Sequence, residues 1–120
     1  IGIGMGANLE AIKATEEAAG RRVAQAQEEA DRRVAKHGAT VTALTRQAAE
    51  AHALTGQAKT NLDLFQAQYD AGQRQVMDVV GVYETYAAQA QVTIELKYKL
   101  AAAKLEMARE LGLLADGGDI

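Results

Sequence analysis

The residues able to do chemistry are few and scattered. His37 and His52 are the only imidazoles, there is no cysteine, and serine is absent altogether. Neither histidine has a carboxylate at the spacing of a helical metal site such as H-E-x-x-H, so both read as helix-surface or seam residues. Without serine or cysteine, no nucleophile with an adjacent base is visible. The opening Gly2-Ile3-Gly4-Met5-Gly6-Ala7 matches G-x-G-x-x-A. A dinucleotide fingerprint needs a strand before it and a ribose-binding acid at the end of the following strand, whereas here a helical pattern simply continues. No enzyme, cofactor or metal site is expected. The one cluster with varied chemistry is Tyr69-Asp70-Ala71-Gly72-Gln73-Arg74-Gln75-Val76-Met77-Asp78: an aromatic, a glycine turn, a guanidinium and a carboxylate within ten residues.

The chain that must position this cluster is 120 residues long, with 48% hydrophobic residues but only 4% aromatic ones and no proline. Roughly a fifth of it is alanine. Little apolar area per residue excludes a large globular core and favours long helices packed through small side chains. A net charge of -3 argues against nucleic acid, because phosphate neutralisation needs a concentrated basic face. Arg21-Arg22 and Arg32-Arg33 alternate with Glu16, Glu17, Glu28, Glu29 and Asp31, the pattern of a solvated mixed-charge surface. No run of about eighteen apolar residues forms a membrane span. The start at Ile1, without a charged leader followed by an apolar stretch, suggests a fragment from which any export signal has been removed or outside which it lies.

The expected architecture is all-α: a long antiparallel helical hairpin over 7–114 with its turn near 70–75. Residues 1–6, with the alternation I-G-I-G-M-G, are expected to be the end of a β-strand or an extended segment, and 115–120 a flexible tail. In the first helix Leu9, Val23, Ala30, Leu44, Ala51, Ala58 and Phe65 recur on a seven-residue stripe, with Glu16 and His37 as exceptions. The companion stripe is Ile12, Ala19 and Ala26 early, then Val41, Ala48, Leu62 and Tyr69. A stutter near 34–41 would account for the shift between them. Gly20, Gly38 and Gly56, eighteen residues apart, share a helix face and suggest a line of close approach. The second helix carries two stripes. One runs through Val76, Val80, Tyr83, Ala87, Ala90, Ile94, Ala101, Leu105 and Ala108. The other runs through Val79, Tyr86, Leu100, Met107 and Leu114, flanked by Val82 and Leu96. Two stripes on one helix imply two helical neighbours.

The cluster reads Y-x-x-G-x-R-x-x-x-D-V-V, followed by Ala87-Ala88-Gln89-Ala90, Tyr98 and Glu110-Leu111-Gly112-Leu113-Leu114. In order and spacing this resembles the C-terminal half of the TolC family of outer-membrane channel proteins, whose repeats carry Y-x-x-G-x-R-x-x-x-D-V-L, then A-x-x-x-L-x-x-A-x-x-x-Y, and close on L-G-x-L. The resemblance spans most of the chain. It implies a homotrimeric conduit, in which a periplasmic α-barrel continues an outer-membrane β-barrel in a Gram-negative bacterium. It also implies a membrane-fusion adaptor and an inner-membrane pump as partners in type I protein secretion or drug efflux. Carried over by position, Tyr69, Arg74 and Asp78 would be gate residues and Ala71, Gly72 and Gln73 the adaptor-docking tip. The G-Q-R form of that tip inclines the reading towards secretion. Gly81 stands where better-studied members have a second aspartate, which removes a ligand from any cation site at the entrance. The alternative is a periplasmic adaptor or scaffold hairpin that docks another coiled coil without forming a conduit. Apart from the resemblance, Arg74 and Asp78 could be a helix-start (i, i+4) ion pair and Tyr69 the end of a seam.

Overall fold

The computed structural model describes residues 2–118, with side-chain environments for 4–116. The chain forms two helices, α1 over Gly2–Asp70 and α2 over Val76–Gly118, joined by a five-residue turn. They lie side by side as a hairpin measuring 106 × 20 × 14 Å. At about 1.5 Å per residue, α1 alone accounts for this length. Nothing in either helix interrupts the hydrogen-bond ladder, since proline is absent and the residues are mostly good helix formers.

The seam between the helices follows a strict seven-residue repeat. On α1 it passes through Ala30, Val34, His37, Val41, Leu44, Ala48, Ala51, Thr55, Ala58, Leu62 and Phe65, all buried or half-buried. On α2 it passes through Val79, Val82, Tyr86, Gln89, Thr93, Leu96, Leu100, Ala103, Met107, Glu110 and Leu114. This is the second of the two α2 stripes. The first stays open to solvent: Val76, Val80, Tyr83, Ile94 and Leu105 are all exposed. Among the described residues only Ala30, Ala51, Leu62 and Thr93 are buried, each keeping a few per cent of its surface, as expected where two helices share one narrow line of contact.

Four expectations need correction. Residues 2–6 belong to α1 instead of an extended segment, with Ile1 outside the described residues. The described residues contain no strand to pair with, so only a helix satisfies the backbone N–H and C=O groups internally. At the other end, α2 continues through Gly118 where a tail was expected, residues 119–120 lying outside the described part. The seam is unbroken across 34–41, so the shift in stripes falls before Ala30, a stretch whose side chains are exposed or, at Ala18, half-buried among the described residues. The glycine line also fails. A Cβ built on Gly38 would meet the Met107 methyl at 3.7 Å, whereas at Gly20 and Gly56 it would meet open space. An eighteen-residue spacing suits a straight helix, but measured against the 3.5-residue period of the seam it drifts by about 50° per step.

Candidate functional site at the hairpin tip

The turn is built from backbone hydrogen bonds that the sequence can only satisfy with a glycine. Gly72 has φ = 78°, in the left-handed region. Its N–H donates to Tyr69 O at 2.9 Å, and Gln73 N–H reaches back to Gln68 O at 2.7 Å. This pair of bonds is the Schellman ending, which uses two carbonyls that the last turn of α1 would otherwise leave open. The start of α2 is closed from the other side. Asp78 N–H donates to Gln75 O, and Asp78 Oδ2 accepts the Gln75 N–H, both at 3.1 Å. Asp78 therefore works as the third-residue acceptor of a capping box, in the positive field at the start of the helix.

Arg74 folds back over α1. Its Nε donates to Gln68 Oε1 at 2.8 Å, and its guanidinium carbon lies 4.0 Å from the centre of the Phe65 ring. A planar cation on an aromatic face with a fixed donor contact is a geometry arginine fills and lysine does not. The Arg74–Asp78 ion pair is not formed: each group has another partner. Tyr69, on the last turn of α1, is exposed, and among the described residues no hydrogen bond joins its side chain to Arg74 or Asp78. The three gate candidates thus lie at one end of the hairpin without forming one connected cluster. Ala71, Gly72 and Gln73 form the exposed outer rim of the turn.

Sequence reasoning missed Phe65 and Gln68 as partners of Arg74. Phe65 had been assigned to the seam, which it does close. The available signal was its position: it is the chain's only phenylalanine, one and a half turns before the glycine turn, within reach of the first cation after it. Behind the turn, an open groove of about 370 Å³ lies between the helices, with Phe65, Met77 and Val82 as its apolar lining and Asn61, Asp78 and Thr85 as its polar one. Ala58 and Gly81 complete the lining. A Cβ at Gly81 would have nothing within 4 Å, which leaves the groove open on that side.

Elsewhere, polar contacts cross the seam at two places. Thr55 Oγ1 lies 2.7 Å from Thr93 Oγ1, and both hydroxyls reach Gln89 O, at 3.2 and 3.1 Å. Near the open end of the paired region, Arg33 Nε is 3.4 Å from one oxygen of Glu110, and His37 Nε2 is 4.0 Å from the other. His52 is exposed. Among the described residues no group of three or more carboxylate or imidazole side chains is arranged to hold a metal ion, and no helix is long and apolar enough to cross a membrane. Comparison with protein families, with curated proteins and with solved structures finds no match for this chain.

Proposed function

We propose that this hairpin is a wall segment of the periplasmic helical barrel of an outer-membrane channel, used for type I protein secretion or drug efflux. The observation that carries this reading is the second face of α2. Val76, Val80, Tyr83, Ile94 and Leu105 stay exposed although α1 already covers the opposite stripe. A helix with one apolar face completes its burial in a hairpin; a helix with two needs a neighbour on either side. A closed ring of hairpins meets that need for every helix at once, because closure leaves no unpartnered edge. At about 25 cal/mol per Å² of apolar surface removed from water, a stripe this long is a strong drive to assemble. The tip motif adds the family resemblance, and with it the homotrimer, the adaptor and the pump as partners.

In this reading, Tyr69, Arg74 and Asp78 hold the periplasmic entrance closed, and the rim at Ala71, Gly72 and Gln73 meets the adaptor. Arg74 has a competing site on its own chain, the Phe65 ring and Gln68. Moving it between that site and a neighbouring subunit exchanges one exposed polar contact for another, worth about 1 kcal/mol or less. A gate built from several such exchanges sits near balance, and a few kcal/mol shift its population by orders of magnitude.

The test is conductance of the full-length gene product in planar lipid bilayers. Discrete channels are expected, and Arg74→Ser with Tyr69→Phe should raise their conductance while leaving thermal stability nearly unchanged. Channels whose conductance the double variant does not alter would reduce these residues to local helix-end contacts. A product that binds another coiled coil but never conducts would establish the adaptor or scaffold alternative.

A further inference from the structure

Each helix presents a second line of side chains outside the seam. On α2 this line carries the large residues Val80, Tyr83, Ile94, Tyr98 and Leu105, and Tyr98 and Leu105 keep 74% and 72% of their surface exposed. On α1 it is made mostly of small residues, Ala35, Ala39, Thr42, Ala49, Ala53 and Ala67, all of them exposed. The large line leaves on the order of several hundred Å² of apolar surface open, the scale of an interaction site and not far below what one partner brings to a standard interface.

We infer that the outer line of α2 is covered by the outer line of α1 of a second copy of this chain, the two hairpins lying side by side with their tips level. The side-by-side arrangement is taken from the barrel reading, on which it rests; what is added is the identity of the neighbouring helix and its register. From Ala35 to Ala67 the α1 line advances by steps of 4, 3, 4, 3, 4, 4, 3, 4 and 3 residues, and from Gly112 back to Val80 the α2 line retreats by the same steps in the same order. A seven-residue repeat alternates fours and threes, so the doubled four, Ala49-Ala53-Gln57 on α1 and Tyr98-Ile94-Ala90 on α2, makes the two lines match in a single register. Within one hairpin Thr55 lies level with Thr93. The matched register sets Ala53 beside Ile94 of the other copy, the same level to within one residue, so the tips align.

Size fits as well as step. Val80 falls against Ala67, Ile94 against Ala53, Tyr98 against Ala49 and Leu105 against Thr42, each large side chain on a small one. Where α1 instead carries Arg46, α2 offers Ala101; Tyr83 against Leu64 is the one layer large on both sides. Antiparallel pairing of the α2 line with itself would set Tyr83 against Tyr98 and Val76 against Leu105, and would leave the α1 line uncovered. Because each copy gives one face and receives the other, the contact is head-to-tail and repeats into a ring or a filament.

The chain has no cysteine, so copies carrying one each can be mixed. Ala49→Cys and Tyr98→Cys, each in the full 120-residue chain, should oxidise to a mixed dimer at least about tenfold faster than either links to itself, because a disulfide requires close Cβ atoms. Ala67→Cys mixed with Tyr98→Cys, about five helical turns out of level, should lag by the same factor. Ala53→Phe adds apolar surface but fills the place of Ile94, and should weaken self-association in sedimentation at least about tenfold with helix content on circular dichroism unchanged. Mixed dimers no faster than self-linked ones, a Tyr98→Cys that links faster to Tyr83→Cys, or an Ala53→Phe variant that associates as tightly as the parent would each overturn the pairing. So would a chain that stays strictly monomeric at high micromolar concentration. Conductance of the full-length product decides the channel reading separately: channels that persist beside a failed cross-link leave that reading standing with a different neighbour for α2.

Discussion

The hairpin contains two stretches of α1 with similar composition and different circumstances. Over 30–70 the helix lies against α2, and Ala51 and Leu62 keep 4% and 7% of their surface exposed. Over 4–27 it runs on alone, and Leu9, Ile12 and Val23 are 57%, 54% and 70% exposed. Both stretches are helical throughout. Helical conformation is thus set locally, by residues that all favour it, while its stabilisation comes from the neighbour. The same contrast divides α2 lengthwise, into a face that α1 covers and a face that stays exposed.

Substitution should expose this contrast most sharply. Leu62→Ala removes a buried side chain from the seam and is expected to cost about 2 to 3 kcal/mol in urea unfolding of the 120-residue chain. Val23→Ala removes an exposed side chain from the unpartnered stretch and adds a better helix former, so its effect should stay within about 0.5 kcal/mol. Equal effects at the two sites would mean that 4–27 is covered in solution, by self-association or otherwise.

The glycines sharpen the comparison through sign. Gly72→Ala forces a Cβ into the left-handed region and is expected to lower stability by about 1 kcal/mol, although nothing lies within 4 Å of that Cβ. Gly20→Ala meets open space inside a regular helix and should raise helix content on circular dichroism by reducing the freedom of the unfolded chain. If both changes destabilise, Gly20 has a packing partner in the assembled protein.

The smallest effect concerns an exposed ion pair on the outside of the hairpin. A hydrogen bond that the Lys59 ammonium donates to Asp63, together with the charge of that carboxylate, holds the ammonium above the ordinary lysine range. A raised lysine pKa stabilises the fold at all pH values below the unfolded value and loses that contribution as pH rises through the folded one. Asp63→Asn should therefore lower the Lys59 titration midpoint followed by NMR, with almost no change in stability near neutral pH, where solvent screens the pair.

Much of this was legible in advance. The seven-residue recurrence from Ala30 to Phe65, the break at Gly72 and the two stripes of α2 are one-dimensional patterns that map directly onto helix faces. The tip was legible in part. Gly72 was readable as the turn because only glycine adopts its backbone conformation without strain. The partners of Arg74 were not, because Phe65 and Gln68 come within its reach only after the chain has reversed. The I-G-I-G-M-G alternation was misread because period-two patterning signals a strand only where another strand is present to pair with it.

The sequence by itself therefore determined that the chain is helical, where it turns, and that α2 has more apolar surface than one neighbour can cover. Propensity, periodicity and a glycine's φ are properties of short stretches and need no distant contact. Only the tertiary structure decided which stripe of α2 faces α1, that Asp78 caps a helix instead of pairing with Arg74, and that the stretch before Ala30 stands alone. Each of these depends on what lies opposite a side chain, which no short stretch of sequence contains.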